Sequence, residues 1–380
     1  MLYEILIESS KNIRFFWHLG AKVNPSIETE FFSITGIKTV LGKGKKLNIA
    51  FISELDAVYA PSHWCADKET GAAHNCGHHT QTAIALALYN YFYKSKAYEK
   101  LDYSLTFIFI PAEEYLDLSY REKLQKDGTI KYFGGKPEAM RLGVFDDIDA
   151  GVCVHAIGGT FDERTTEINC DLAGFLYKKY TFKGSASHAG FDPFTGKNAY
   201  SMSTVFQVAL GLMRQQLKDS EHVRLNPIVM QSDMSTNVIP NSITVGTDLR
   251  TKTVDYMKIV SERLDKAALG SAMTLDGEVE TKTQMGYLPF VQDRYLGEYV
   301  VEAFEKQNEI KKLWNNNFIS AAGDIGDLSY MIPCIQIGYS GFSGTIHGDD
   351  FKDEDAQMIY EIFPRFVSQG LEYMSGKIDK

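Results

Sequence analysis

The string His74-Asn75-Cys76-Gly77-His78-His79 packs one thiol and three imidazoles into six residues. Pro111-Ala112-Glu113-Glu114 sets two adjacent carboxylates at the end of an apolar run. Thiolate and imidazole are what borderline divalent metals prefer, and carboxylates complete such sites or move protons beside them. A Cys76-x-His78 pair at the start of a helix can hold one metal, and its thiolate can bridge two. Glu114 offers an oxygen ligand and His155 a nitrogen. His347, in Gly344-Thr345-Ile346-His347-Gly348, could supply the last nitrogen. Asp56 is placed to orient a ligand from behind. Glu113 then has the part of general base, taking a proton from an activated water.

Plainer readings compete residue by residue. A single cysteine is more often core than ligand, and Cys65, Cys153, Cys170 and Cys334 are read so. A lone histidine is more often hydrogen-bonded or at the surface, which suits His18, His63 and His222. Cys76 taken alone fits either reading. Taken with His78, Glu114, His155 and His347, all near expected strand ends, it is read as a ligand. His74 and His79 stay open between partners of the ligands and polar groups of a loop.

The elements that must position these groups follow from apolar patterning. The first twenty residues are expected to be helical. Residues 47–55 (LNIAFISEL) predict a strand with Asp56 just past its end, and 80–93 predict a helix with the Cys-Gly-His-His string at its start. Residues 103–110 (YSLTFIFI) predict a buried strand running into the glutamate pair, and 151–155 (GVCVH) another that ends on a histidine. Strands alternating with helices predict a mainly parallel α/β sheet, whose sites lie just after strand ends. The pattern then changes. Strand 175–182, helix 199–216, strands 228–231 and 243–249, helix 254–268 and strand 277–282 give a ferredoxin-like β-α-β-β-α-β order. The α/β pattern resumes with helix 295–307, strand 335–339 and helix 354–369. The expected organisation is therefore a catalytic metal-binding domain, 1–172 plus 285–380, interrupted by an inserted α+β domain, 173–284.

With 380 residues the chain is long enough for two domains. Its formal charge of −10 argues against nucleic acid as the main partner, and Lys43, Lys45 and Lys46 read as a solvated turn. Met1-Leu2-Tyr3-Glu4 does not resemble the basic start of a secretory signal, and no apolar run is long enough to span a bilayer. Five scattered cysteines do not form a disulfide framework. The reducing cytoplasm is the expected location.

In order and spacing these strings resemble the dinuclear metallohydrolases that include aminoacylases, carboxypeptidases and plant auxin-amino-acid conjugate hydrolases. They resemble above all the amidohydrolase branch with a Cys-Gly-His metal motif, which includes p-aminobenzoyl-glutamate hydrolase-like proteins. Glu54-Leu55-Asp56-Ala57 falls where that branch has Asp-Met-Asp-Ala, and His74 to His79 where it has His-Ala-Cys-Gly-His. Pro111-Ala112-Glu113-Glu114 is identical to the branch's string. Gly134-Gly135-Lys136, Phe145 to Asp149 and His155 follow in its order. Lys183 to Ala189 (KGSASHA) resembles its insert-domain histidine motif, Thr236 to Pro240 (TNVIP) its Asn-containing string, and Asp248-Leu249-Arg250 its Asp-x-Arg.

The resemblance implies a metallopeptidase-like catalytic domain with an inserted lid that also dimerises. It implies Cys76, His78, Glu114, His155 and His347 as ligands of one or two zinc or manganese ions, and Glu113 as base. His188 would reach the partner subunit's active site and polarise the scissile carbonyl. Asn237 and Arg250 would hold the substrate's carboxylate or acyl part. The plainer readings are a loop histidine capping backbone groups for His188 and a strand-end salt bridge for Arg250. Three departures stand out: His79 where the branch has Asp or Asn, Gln81 where it often has His, and a short segment before Asp56. The implied activity is cleavage of an amide bond in N-acyl-amino acids or small peptides. A non-catalytic metabolite-binding protein, or an aminopeptidase or dipeptidase on the same scaffold, are the alternatives.

Overall fold

A computed structural model describes residues 29–114, 118–231 and 235–378. The helix expected over the first twenty residues, with His18, lies outside the described residues. The chain forms two compact units. One is drawn from the chain up to Asp171, Val291–Asn317 and Asp327–Lys380, the other from Leu172–Phe290 and Phe318–Gly326.

In the first unit β1 (Thr29–Phe32) and β2 (Gly36–Leu41) form a hairpin, followed by β3 (Leu47–Glu54). Helix α1 (His78–Ser95) leads to β4 (Tyr103–Ile110). Helices α2 (Leu118–Lys126) and α3 (Gly135–Arg141) precede β5 (Ala150–Ala156) and β6 (Thr165–Ile168). The second unit contributes β7 (Gly174–Lys183), α4 (Ala199–Met213), β8 (Arg224–Leu225), β9 (Ile228–Gln231), β10 (Ser242–Thr251), α5 (Val254–Met273) and β11 (Glu278–Met285). The first unit then resumes with α6 (Arg294–Glu305), β12 (Lys312–Asn315), β13 (Cys334–Tyr339) and α7 (Phe363–Met374).

The first unit's sheet has the order β1-β2-β4-β3-β5-β13-β6-β12. Its middle strands β4, β3, β5 and β13 run parallel. Every residue of β4 is buried, as a strand covered on both faces requires. One face packs on Ile84, Leu88 and Phe92 of α1 and on Phe363, Phe366 and Leu371 of α7. The helix expected over 354–369 begins at 356, and within it Met358–Ile362 winds as a wider π turn before α7. Pro364 has no N–H to donate into that turn, which leaves it able to widen.

In the second unit β11, β7 and β10 lie side by side, all antiparallel, with β8 and β9 both pairing on the far side of β10. This is the ferredoxin-like order, with its second strand broken at Asn226-Pro227. Tyr180, Phe182, Phe206, Leu249, Val260 and Leu264 build a separate core between sheet and helices. The unit differs from the expected insert at its ends: it reaches Phe290 and takes in Phe318–Gly326. The Ala173 N–H meets the carbonyls of Ile319 and Ala321 at 3.2 and 2.9 Å. A short returning segment held by backbone bonds leaves little trace in side-chain pattern.

Candidate metal centre

Parallel pairing brings the candidate groups to one edge. Glu54 stands opposite Ile110, and Ile52 opposite Cys153. The residues after β3, after β4 and at the end of β5 therefore emerge at one level, where open α/β sheets place their sites. The donor atoms of Cys76, His78 and His155 lie within 4.8 Å of one another, as do those of Cys76, Glu114 and His347, and those of Glu54, His78 and Glu113.

Gly77 makes the Cys-x-His turn possible. It has φ 88°, and a Cβ there would stand 2.6 Å from the Ala156 Cβ. The turn opens α1 directly, so Cys76 and His78 both sit over the end of β5. His347 has φ 66°, in the left-handed region that non-glycine residues seldom adopt. Its N–H bonds to the Asn75 carbonyl at 2.8 Å, which ties its loop to the Cys-Gly-His turn. Its Nε2 then lies 2.7 Å from Glu114 Oε1.

Asp56 organises the rest. Its Oδ2 accepts the backbone N–H groups of Glu113 and Glu114, both at 2.9 Å. Its Oδ1 lies 3.1 Å from His78 Nδ1, and its carbonyl 3.0 Å. Two oxygen acceptors around Nδ1 put the ring proton there and leave a lone pair on Nε2. That Nε2 is buried without a hydrogen bond and faces Glu54 Oε2 at 3.2 Å. Two acceptors so close repel each other unless a proton or a cation on the imidazole neutralises one of them. His155 repeats the logic: Nδ1 donates to the Ala156 carbonyl at 2.9 Å, and Nε2 faces Cys76 Sγ at 3.7 Å. Presented Nε2 atoms, a thiol and buried carboxylates fit a divalent metal.

The electrostatics agree. Burial alone would raise the Asp56 and Glu54 carboxyls, but His78 beside Asp56, and Lys136 with His78 beside Glu54, hold each at about 2. Burial opposes charge on His78, yet Cys76, Glu54 and Asp56 raise it well above the ordinary histidine value. Burial pushes the Cys76 thiol up, against the pull of His78, and lowers His155. Without a cation the cluster gathers protons; a metal would take their place.

The structure thus brings together Asp56, Cys76, His78, Glu113, Glu114, His155 and His347. His188, Asn237 and Arg250 belong to the second unit. There the Ala189 N–H bonds to the Asn237 carbonyl at 2.9 Å, so the two strings run side by side. His188 Nδ1 accepts the N–H groups of Gly190 and Phe191 at 3.1 and 3.0 Å, which leaves Nε2 as its donor. Arg250 bonds to Asp248 Oδ2 at 2.8 Å and to the Ser320 carbonyl at 3.1 Å.

Of the two histidines left open, His79 Nε2 contacts Asp353 at 3.2 Å, and the His74 ring lies tilted against that of His79, centroids 5.5 Å apart. His63 is buried, with Nε2 on the Phe351 carbonyl at 2.8 Å, and His222 lies against Phe318. Sequence reasoning missed Glu54 as a neighbour of the site. Its place two residues before Asp56, at the end of the same strand, was the available signal. Lys136 and Gln81, which grip Glu54, entered only as part of the Gly-Gly-Lys string and as a departure from the branch, with no sign of this contact.

Residues 50–368 match the family model described as peptidase family M20/M25/M40, and the chain belongs to that family. It is 25% identical over 214 residues to one of the subunits of p-aminobenzoyl-glutamate hydrolase from Escherichia coli, covering 54% of this chain and 42% of the relative. Indole-3-acetyl-aspartic acid hydrolase of Enterobacter agglomerans is 30% identical over 216 residues, covering 56% and 44%. The chain thus matches less than half the length of these curated relatives. Its fold is that of the Bacillus subtilis YXEP protein, described as a dinuclear metal-binding peptidase. The TM-score is 0.73 at 18% identity, covering 98% of this chain and 93% of that one.

Proposed function

We propose that this protein is a metal-dependent amidohydrolase that cleaves the amide bond of N-acyl-amino acids or small peptides bearing a free carboxylate. One observation carries the reading: a thiol, three imidazoles and two adjacent glutamates converge at the ends of parallel strands, in a chain of this peptidase family. Cys76, His78, Glu114, His155 and His347 would hold one or two divalent ions, zinc or manganese. Bound there, a divalent ion polarises a carbonyl and makes a water acidic enough to attack near neutral pH.

The chain's own residues do the rest. Glu113 takes the proton of the attacking water and passes it to the leaving amine. Asp56 fixes the backbone of the Glu113-Glu114 pair and the tautomer of His78 with its two oxygens. His188, with Nε2 as donor, steadies the oxyanion. Asn237 and Arg250 hold the substrate, although Arg250 must share its guanidinium with Asp248. Two relatives named for an acyl-glutamate and an acyl-aspartate support an amino acid as the leaving group.

A homodimer is the proposed assembly. Exposed Val205, Val208 and Leu212 on α4, and Ile228, Val229 and Met230 on edge strand β9, support it. The scattered cysteines favour the cytoplasm.

The test is elemental analysis of protein purified without chelator, followed by a screen of N-acyl-amino acids and dipeptides. About two zinc or manganese ions per chain, lost in Cys76→Ala and His347→Ala, are expected. Glu113→Ala should keep the metal and lose roughly 100- to 10,000-fold in kcat. Protein that neither carries nor takes up metal, or a Glu113→Ala variant at wild-type rate, refutes the reading.

A further inference from the structure

Lys136 is a charged group that the proposed chemistry does not use, and it is completely buried. Its Nζ lies 2.5 Å from Glu54 Oε1. The other Glu54 oxygen accepts Gln81 Nε2 at 2.8 Å and faces His78 Nε2 at 3.2 Å. The backbone N–H of Glu54 also meets Gln81 Oε1 at 3.3 Å. Lys136 is anchored to the site from the other side as well. The N–H of Gly135 bonds to the Ala112 carbonyl at 2.7 Å, one residue before Glu113. A Cβ at Gly135 would stand 2.2 Å from that carbonyl oxygen, so α3 begins in contact with the strand end that carries the glutamates.

A buried ammonium persists only when paired, and here its partner is a carboxylate beside a candidate metal ligand. Charge explains the placement. The thiolate of Cys76 and the carboxylates of Glu54, Asp56, Glu113 and Glu114 bring five negative charges to the cluster. Lys136 returns one, so two divalent cations bring the site to neutrality and a single one leaves it negative. Lys136 and Gln81 also occupy both oxygens of Glu54. They compete with metal for a carboxylate that stands within ligand distance of His78 and Glu113.

We propose that Lys136 and Glu54 form a buried charge-setting pair that matches the site to two divalent ions, with Lys136 and Gln81 keeping Glu54 from acting as a ligand. All three are positioning residues. The inference rests on the metal-dependent reading of the same site.

The pair predicts effects of opposite kind from its two halves. Glu54→Gln removes the carboxylate that offsets a buried ammonium beside the site. Zinc and manganese, measured by equilibrium dialysis and elemental analysis, should then bind at least tenfold more weakly, with about one ion per chain, the scale of a lost partner behind a ligand. Lys136→Met releases the carboxylate toward the ions. It should keep two ions per chain, shift the visible spectrum of the cobalt-substituted protein, and lower kcat more than it changes KM. The double variant Glu54→Gln/Lys136→Met carries neither charge and should restore metal affinity to within about threefold of wild type.

If both single variants weaken metal binding in step with their loss of thermal stability, and the double does not recover, the pair is only structural and the proposal fails. Should Lys136→Met not fold, Glu54→Gln against the double variant decides in the same way. Wild-type protein that takes up no metal overturns this inference together with the functional reading. Wild type holding two ions with unmoved variants overturns this inference alone.

Discussion

Asp56 shows how much one side chain can set. With one oxygen on two backbone N–H groups and the other on His78 Nδ1, its carboxylate accepts on both sides. Asparagine has one acceptor and one donor. If its oxygen keeps the Glu113 and Glu114 N–H groups, its amide confronts the Nδ1–H of His78 and favours the other tautomer, which blocks Nε2. Asp56→Asn should therefore bind metal roughly 10- to 100-fold more weakly while keeping its fold, as elemental analysis and circular dichroism would show. The same residue sets an acid limit. Its carboxyl titrates at about 2 when folded, against about 3.9 in an unfolded chain. Ionised Asp56 thus favours the folded state above about pH 4, and this contribution, on the order of 2 kcal/mol, drains away as pH falls toward 2. Chelator-treated wild type should lose stability across that window, and Asp56→Asn should lose less. Equal slopes in acid unfolding curves would contradict it.

At the scale of elements, the strand-to-helix turn at Gly77 is the joint on which the centre depends. Alanine there would need the left-handed conformation and would press its Cβ against Ala156 on β5. The first effect costs roughly 1–2 kcal/mol and the second roughly 1–3 kcal/mol. Gly77→Ala should lower the melting temperature and shift Cys76 against His78, so that metal is lost before the fold is. A variant that melts like wild type with its full metal content would show the turn to be tolerant. The strands feeding this joint were legible in the sequence because both their faces are buried. Tyr103–Ile110 is apolar at six of its eight positions, with only the small hydroxyls of Ser104 and Thr106 between, and its bounds match the expectation residue for residue. The β1–β2 hairpin was not legible. Ser33 and Ile34 both turn with positive φ, and no propensity rule assigns a β-branched residue to that conformation. The ligand candidates were legible because soft and paired donors are unusual at strand ends. The part of Lys136 was not, because the Gly134-Gly135-Lys136 string gives no sign that Glu54, far along the chain, closes over the lysine.

For the whole molecule the open question is which chain completes which site. His188 lies in the second unit with Nδ1 engaged by its own loop and Nε2 left as a donor. That unit carries an apolar stripe, Val205, Val208 and Leu212 at helical spacing, and its exposed edge strand Ile228–Gln231. Both elements pack on the β10 side of the sheet, so one two-fold contact could cover them together. If dimerisation there carries His188 to the partner subunit's site, Glu113→Ala and His188→Ala chains should complement each other. Each variant alone should be nearly inactive. In an equal mixture half the dimers are mixed, and each mixed dimer regains one intact site, so activity should approach about a quarter of wild type. Recovery must follow the rate of subunit exchange, which mass spectrometry of isotopically distinct chains would track. Exchange without recovery would put His188 to work within its own chain or outside catalysis altogether. A charge in the stripe, as in Leu212→Glu, separates the two needs. It should yield monomers by sedimentation that hold their metal, because every candidate ligand lies in the first unit, yet turn over little substrate, because the partner's contribution is gone.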